Sequence, residues 1–151
     1  MFRRPPGRHR RGNVFGAFQQ RWCNMIIGLG TDIVDMERIE KISERFGERF
    51  AGHILHPEEL DEWRESPRVT FLAGRFAAKE ALVKALGTGF SQGIWLADIL
   101  VRKGVNGEPE VILSGAALER FQALGGGAVH VSISHDRHSA MAVVILERAE
   151  I

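Results

Sequence analysis

RFAAKEALVKALGTG, residues 75–89, is the stretch on which the fold reading turns. It is rich in helix formers, carries no proline, and ends in glycine. On a helical wheel of residues 72–86, Leu72, Phe76, Leu82, Val83 and Leu86 share one wide arc. Ala77, Ala78, Ala81 and Ala85 fill much of the rest, so another element can approach closely there. A helix this apolar should be largely buried. Glu80 and Lys84 nonetheless sit in a narrow wedge beside Phe76. They read either as an exposed i,i+4 ion pair, worth about 0.2–0.5 kcal/mol, or as the lining of a cleft. Buried charge needs a partner, and a metal ion or a phosphate would be one. Gly87-Thr88-Gly89 follows, either as an ordinary helix stop or as a source of open backbone N–H groups for an anionic ligand.

Outward from that helix, the pattern alternates between the two regular periods. MIIGLGT (25–31) is a short apolar strand, and Asp32 falls where it gives way to a helix. DMERIEKISERFGERF reads as an amphipathic helix with Asp35 as N-cap, Ile39, Ile42 and Phe46 at helical spacing, and Gly47 as its stop. HPEELDEWRES opens a second helix with Pro57 in its first turn, ended by Ser66-Pro67. The long helix is predicted from about Arg68 to Leu86. IWLADILVRK and EPEVIL are read as a hairpin around Asn106-Gly107. SGAALERFQALGGG is a short helix opened by Ser114, and VHVSISH and SAMAVVIL form a second hairpin around Asp136-Arg137-His138. The predicted class is α+β, a small antiparallel sheet packed against a long helix.

The chain has 151 residues, enough for one domain with a real core. No apolar run approaches the ~18–20 residues of a membrane span. A single cysteine, Cys23, excludes an intrachain disulfide and fits a reducing, cytoplasmic setting. The net charge of +1 conceals an asymmetry. Residues 1–24 hold six arginines and no acid, which leaves fourteen basic against nineteen acidic residues in the rest. That extension lacks the apolar core of a secretory signal. It is expected to lie outside the fold, as a disordered tail or an over-long translation start. A phosphate-binding arm or an organelle transit peptide are the alternatives. Residues 25–151 are expected to form the one domain. Their acidic balance argues against a nucleic-acid partner.

Asp32 has two readings: a turn or cap aspartate, or a metal ligand. Magnesium takes one or two carboxylates, several waters and phosphate oxygens. Asp32 and Glu80 would supply that pair, with Lys84 adding positive charge. His53, His56, His130, His135 and His138 include no cysteine partner or helical H-E-x-x-H, so a zinc site is not expected. His130 and His135 differ by five and face opposite sides of a regular strand. His135, at the strand end, is the better placed for a ligand.

IIGLGTDIVDMERIE, FLAGRFAAKEALVKALGTG and VHVSISHDRHSAMAVV together resemble holo-acyl-carrier-protein synthases, the small bacterial 4′-phosphopantetheinyl transferases. The likeness runs from Met25 to about Leu146. The G-x-D near the start and the F-x-x-K-E-A-x-x-K pattern are its specific parts. The resemblance implies transfer of phosphopantetheine from coenzyme A to a serine of apo-acyl carrier protein, with release of adenosine 3′,5′-bisphosphate, in support of fatty acid biosynthesis. It implies that Asp32 and Glu80 bind Mg²⁺, with Mn²⁺ the alternative ion. It places Lys84 near the pyrophosphate and His135 on coenzyme A, and the open N–H groups of Gly87, Thr88 and Gly89 are expected to bind the same ligand. A carboxylate, or a water it polarises, would take the serine proton, and the sequence does not choose among them. Arg38, Ile42, Arg45 and Phe46 lie on one side of the first helix and suit an acidic carrier protein. The competing reading makes Ile42 and Phe46 core. The resemblance also implies homotrimers with active sites between subunits, which would let His135 serve a neighbour's site.

Overall fold

The computed structural model describes residues 25–89 and 91–150. The basic extension, 1–24, lies outside the described residues. The described chain runs β1 (Ile26–Asp35), α1 (Met36–Phe46), α2 (Glu48–Ile54), α3 (Pro57–Glu65) and α4 (Val69–Leu86). A single 3-10 turn, Leu96–Asp98, leads into β2 (Ile99–Lys103) and β3 (Pro109–Leu113), then α5 (Gly115–Ala123), β4 (Gly126–His135) and β5 (Ser139–Arg148).

Two antiparallel sheets result. One has the order β1-β5-β4, and the other is the β2-β3 hairpin. The first strand thus pairs with the last, and β5 lies in the middle. In β1, Gly28, Gly30, Asp32 and Val34 alternate toward one face. That face packs on α4, with Ala140, Ala142, Val144 and Leu146 of β5 fully buried beneath the helix. The alanine stripe of α4 does what its small size allows. Ala73, Ala77 and Ala81 are fully buried, and a Cβ added at Gly30 would stand 1.9 Å from the carbonyl oxygen of Ala81. At Gly28 it would meet the Ala85 carbonyl oxygen at 2.3 Å. Only hydrogen fits at these two strand positions.

The other side of α4 is covered by α2 and α3 through Ile54, Leu55 and Trp63, and by Ile99 and Val101 of β2. The caps follow the sequence. Asp35 Oδ1 accepts the Arg38 N–H at 2.8 Å, and Gly47 (φ +52°) ends α1 in the left-handed region where glycine is favoured.

The structure corrects the reading at four places. Asp32 is not at a strand end: Ile33, Val34 and Asp35 continue β1 in register with Met141, Ala140 and Ser139, as β-branched residues favour. A seven-residue helix, α2, begins immediately after Gly47, where no helix was expected. Residues 94–98 are not strand; they lead into β2 through the 3-10 turn. Ser114 precedes α5 but does not cap it with its side chain, because its Oγ donates to the Asp98 carbonyl at 2.6 Å instead.

Candidate active site

Asp32 and Lys84 come together although one is on β1 and the other on α4. Their facing sides are set by the strand alternation and the helical turn. Lys84 Nζ donates to Asp32 Oδ1 and to the Thr31 carbonyl, each at 2.9 Å. The exposed i,i+4 pair is therefore not the arrangement adopted. Glu80, one turn before Lys84, turns into the same region. Burial first, and then the nearby Asp32, push its carboxyl above the ordinary value of 4.5, while Lys84 pulls it down.

Asp32 and Glu80 line a groove of about 380 Å³ with Asp35, Arg38, Ile42 and Phe76. Two carboxylates facing one groove, with Asp32 raising the proton affinity of Glu80, form a hard-oxygen donor set. That chemistry fits a divalent cation such as Mg²⁺ or Mn²⁺. Among the described residues no cluster of three or more His, Cys, Asp or Glu side chains converges, so the set is these two carboxylates rather than a protein cage.

The first helix reaches the same groove. Arg38 and Ile42 line it. Phe46 is 48% exposed, so it is not core, and Arg45 lies over its ring at 5.0 Å.

His135 lies elsewhere in the chain. It is on β4, two strands from Asp32, and level through Ala140 with Val34 rather than with Asp32. It lines a second pocket of about 360 Å³ with Arg68, Arg75, Arg102, Lys103 and Gly107. The Gly87-Thr88-Gly89 loop sits past the C-terminal end of α4. The Gly87 N–H is used on the Lys84 carbonyl at 3.1 Å, and Thr88 Oγ1 donates to the Gly89 carbonyl. His130 points to the other face and pairs with Glu147 at 2.7 Å.

The basic pocket was not anticipated. Its arginines and lysine are scattered from position 68 to 103, and only the packing of the β2-β3 hairpin beside α4 assembles them. Nor was Lys79, which is fully buried against Glu59. Its position on the wheel, inside the apolar arc of Leu72, Leu82 and Leu86, was the available signal.

The sequence and the fold match a known family. Residues 28–142 match the model of the 4′-phosphopantetheinyl transferase superfamily. The chain belongs to that superfamily. It is 54% identical over 123 residues to the holo-[acyl-carrier-protein] synthase of Nitratidesulfovibrio vulgaris (strain DP4), covering 82% of this chain and 99% of the relative. The crystal structure of holo-[acyl-carrier-protein] synthase from Neisseria meningitidis superposes with a TM-score of 0.76 at 39% identity, over 82% of this chain and all of that one. A holo-(acyl-carrier-protein) synthase from Bacillus anthracis, solved in complex with CoA (3′,5′-ADP), superposes at 0.69 with 38% identity, over 83% and 99% of the two chains.

Proposed function

We propose that this protein transfers 4′-phosphopantetheine from coenzyme A to a serine of an apo-acyl carrier protein, releasing adenosine 3′,5′-bisphosphate. The observation that carries the reading is the convergence of Asp32 and Glu80 from two elements on one groove, with Lys84 hydrogen-bonded to Asp32. Asp32 and Glu80 would hold Mg²⁺, which, when bound, supplies charge neutralisation for the pyrophosphate as the phosphoryl group moves.

The chain's own residues do the remainder. Lys84, held by Asp32 and the Thr31 carbonyl, keeps an ammonium beside the groove for the phosphate oxygens of the departing bisphosphate. One of the two carboxylates, or a water it polarises, would accept the serine proton. Arg38 and Ile42 border the groove, and Arg45 and Phe46 extend the surface along α1, in keeping with an acidic partner delivering its serine there. The basic pocket around His135 suits the anionic nucleotide end of coenzyme A.

That pocket and the carboxylate groove lie toward opposite edges of one sheet. The outer face of the sheet carries exposed apolar side chains: Leu29 is 63% exposed, Ile33 71% and its cross-strand partner Met141 42%. Copies of the chain assembled on this face as a homotrimer would bring one chain's groove to another's His135 pocket. No helix among the described residues is long and apolar enough to cross a membrane. We place the reaction in the cytoplasm, in fatty acid biosynthesis.

The test is intact mass of an apo-acyl carrier protein after incubation with the protein, coenzyme A and Mg²⁺. A gain of one phosphopantetheine, lost with EDTA, is expected. No gain with several carriers would refute the transfer.

A further inference from the structure

The most deeply buried charges lie outside the groove. Lys79 has no exposed surface, and Glu59 is 2% exposed. Lys79 Nζ donates to Glu59 Oε2 at 2.5 Å and to the Ile54 carbonyl at 2.7 Å. Burial pulls the Lys79 ammonium down to about 8, against Glu59, which pushes it up. The Glu59 carboxylate is also fully engaged with backbone. Its Oε2 accepts the His56 N–H at 2.7 Å, and its Oε1 accepts the Val101 N–H at 3.2 Å. Arg75 Nε stands 3.3 Å from Oε1. The angle makes no hydrogen bond, and Nε is buried without a hydrogen-bond partner, so the attraction is one of charge. The Arg75 guanidinium lies over the Phe71 ring at 4.5 Å and lines the basic pocket.

One carboxylate therefore joins the start of α3, strand β2 and helix α4, and through Lys79 the end of α2. Two of these, α4 through Arg75 and β2 through the residue before Arg102, build the cationic wall of the pocket. Stability alone is a poor reason for such a cluster, since apolar side chains of similar volume commonly serve as well or better. Glu59, with Glu62 farther off, attracts Arg75, and Arg75 lines the pocket.

We propose that Glu59 is a positioning residue for the anionic end of the coenzyme A substrate: it holds Arg75 and the Val101–Arg102 segment around one carboxylate and so fixes the cationic wall. This rests on the reading of the basic pocket given under the proposed function.

The experiment compares the full-length wild type, Glu59→Gln and the double variant Glu59→Gln/Lys79→Met. It reads melting temperature, affinity for adenosine 3′,5′-bisphosphate by calorimetry, and KM for each substrate. Glu59→Gln leaves Lys79 unpaired and should lower the melting temperature. The double variant leaves no unpaired ammonium and should recover most of it. Both should bind the bisphosphate about tenfold more weakly, as loss of a charge-assisted contact implies. Both should raise KM for coenzyme A and leave KM for carrier protein within twofold. Affinity that returns to wild type together with melting temperature in the double variant would overturn the proposal, and that variant decides the matter if Glu59→Gln alone does not fold. A wild type that transfers but does not bind the bisphosphate would overturn the pocket reading and this inference with it. A wild type that does not transfer would overturn the function itself.

Discussion

Lys84 Nζ and Asp32 Oδ1 are 2.9 Å apart across 52 residues of sequence. The lysine is half exposed and the aspartate largely covered, with side-chain exposures of 54% and 15%. The lysine thus reaches in from solvent to a strand carboxylate. Lys84→Met should cut the transfer rate by ~10²-fold or more, the scale of removing one preorganised charge-stabilising donor. It should also raise the Glu80 carboxyl further, because a cation that pulls it down is gone. Steady-state kinetics and an NMR titration of the Glu80 carboxyl check both; an unchanged rate would remove Lys84 from the site.

Glu80 makes the site costly above the ordinary carboxylate range. Well below 4.5 it is protonated in both folded and unfolded chains. As pH rises from there, the unfolded chain gives up its proton first, so the native state loses stability through that window. Glu80→Gln should therefore melt higher than wild type at neutral pH, with the gain vanishing well below 4.5. Its transfer activity should fall by ~10²-fold or more. Melting curves at the two pH values, beside the mass assay, test the pair of outcomes.

Arg38 donates its backbone N–H, not its side chain, to the Asp35 cap. Truncation to alanine thus spares the helix start. Arg38→Ala should raise KM for carrier protein by about tenfold, more steeply at low salt, and change KM for coenzyme A little. Equal changes in both constants would exclude a docking role.

Gly30→Ala would force a methyl to 1.9 Å from the Ala81 carbonyl oxygen. Strand and helix must separate, at ~1–3 kcal/mol or more. Urea unfolding should report that loss. Transfer by the folded fraction should fall too, since Asp32 and Lys84 sit on the two elements pushed apart.

The local features of this fold were legible where one short segment decides them. The Asp35 cap, the Gly47 stop, the long apolar helix and both hairpins follow from periodicity and turn chemistry. The alanine stripe on α4 announced a close neighbour, and Gly28 and Gly30 supply it. The second helix was not legible, because α2 is seven residues long and abuts Gly47 without a break. Asp32 was set at a strand end because Ile33-Val34 is too short a run to separate from a helix start. The Asp32–Lys84 contact, the Glu59–Lys79 pair and the basic pocket each depend on elements far apart in the chain. Their residues could be suspected singly but not joined. The place of His135 depends on the strand order β1-β5-β4, which no local pattern encodes.

That strand order sets the carboxylates and the histidine pocket toward opposite margins of one chain. In an assembly where each working junction takes one margin from each of two copies, inactivating lesions become separable. On the proposed assembly, a chain carrying Glu80→Gln and a chain carrying His135→Ala should each have little activity alone. Refolded together, they should form some junctions with both margins intact, and activity should rise above that of either preparation. Alleles damaged on different margins would complement one another, and alleles damaged on the same margin would not.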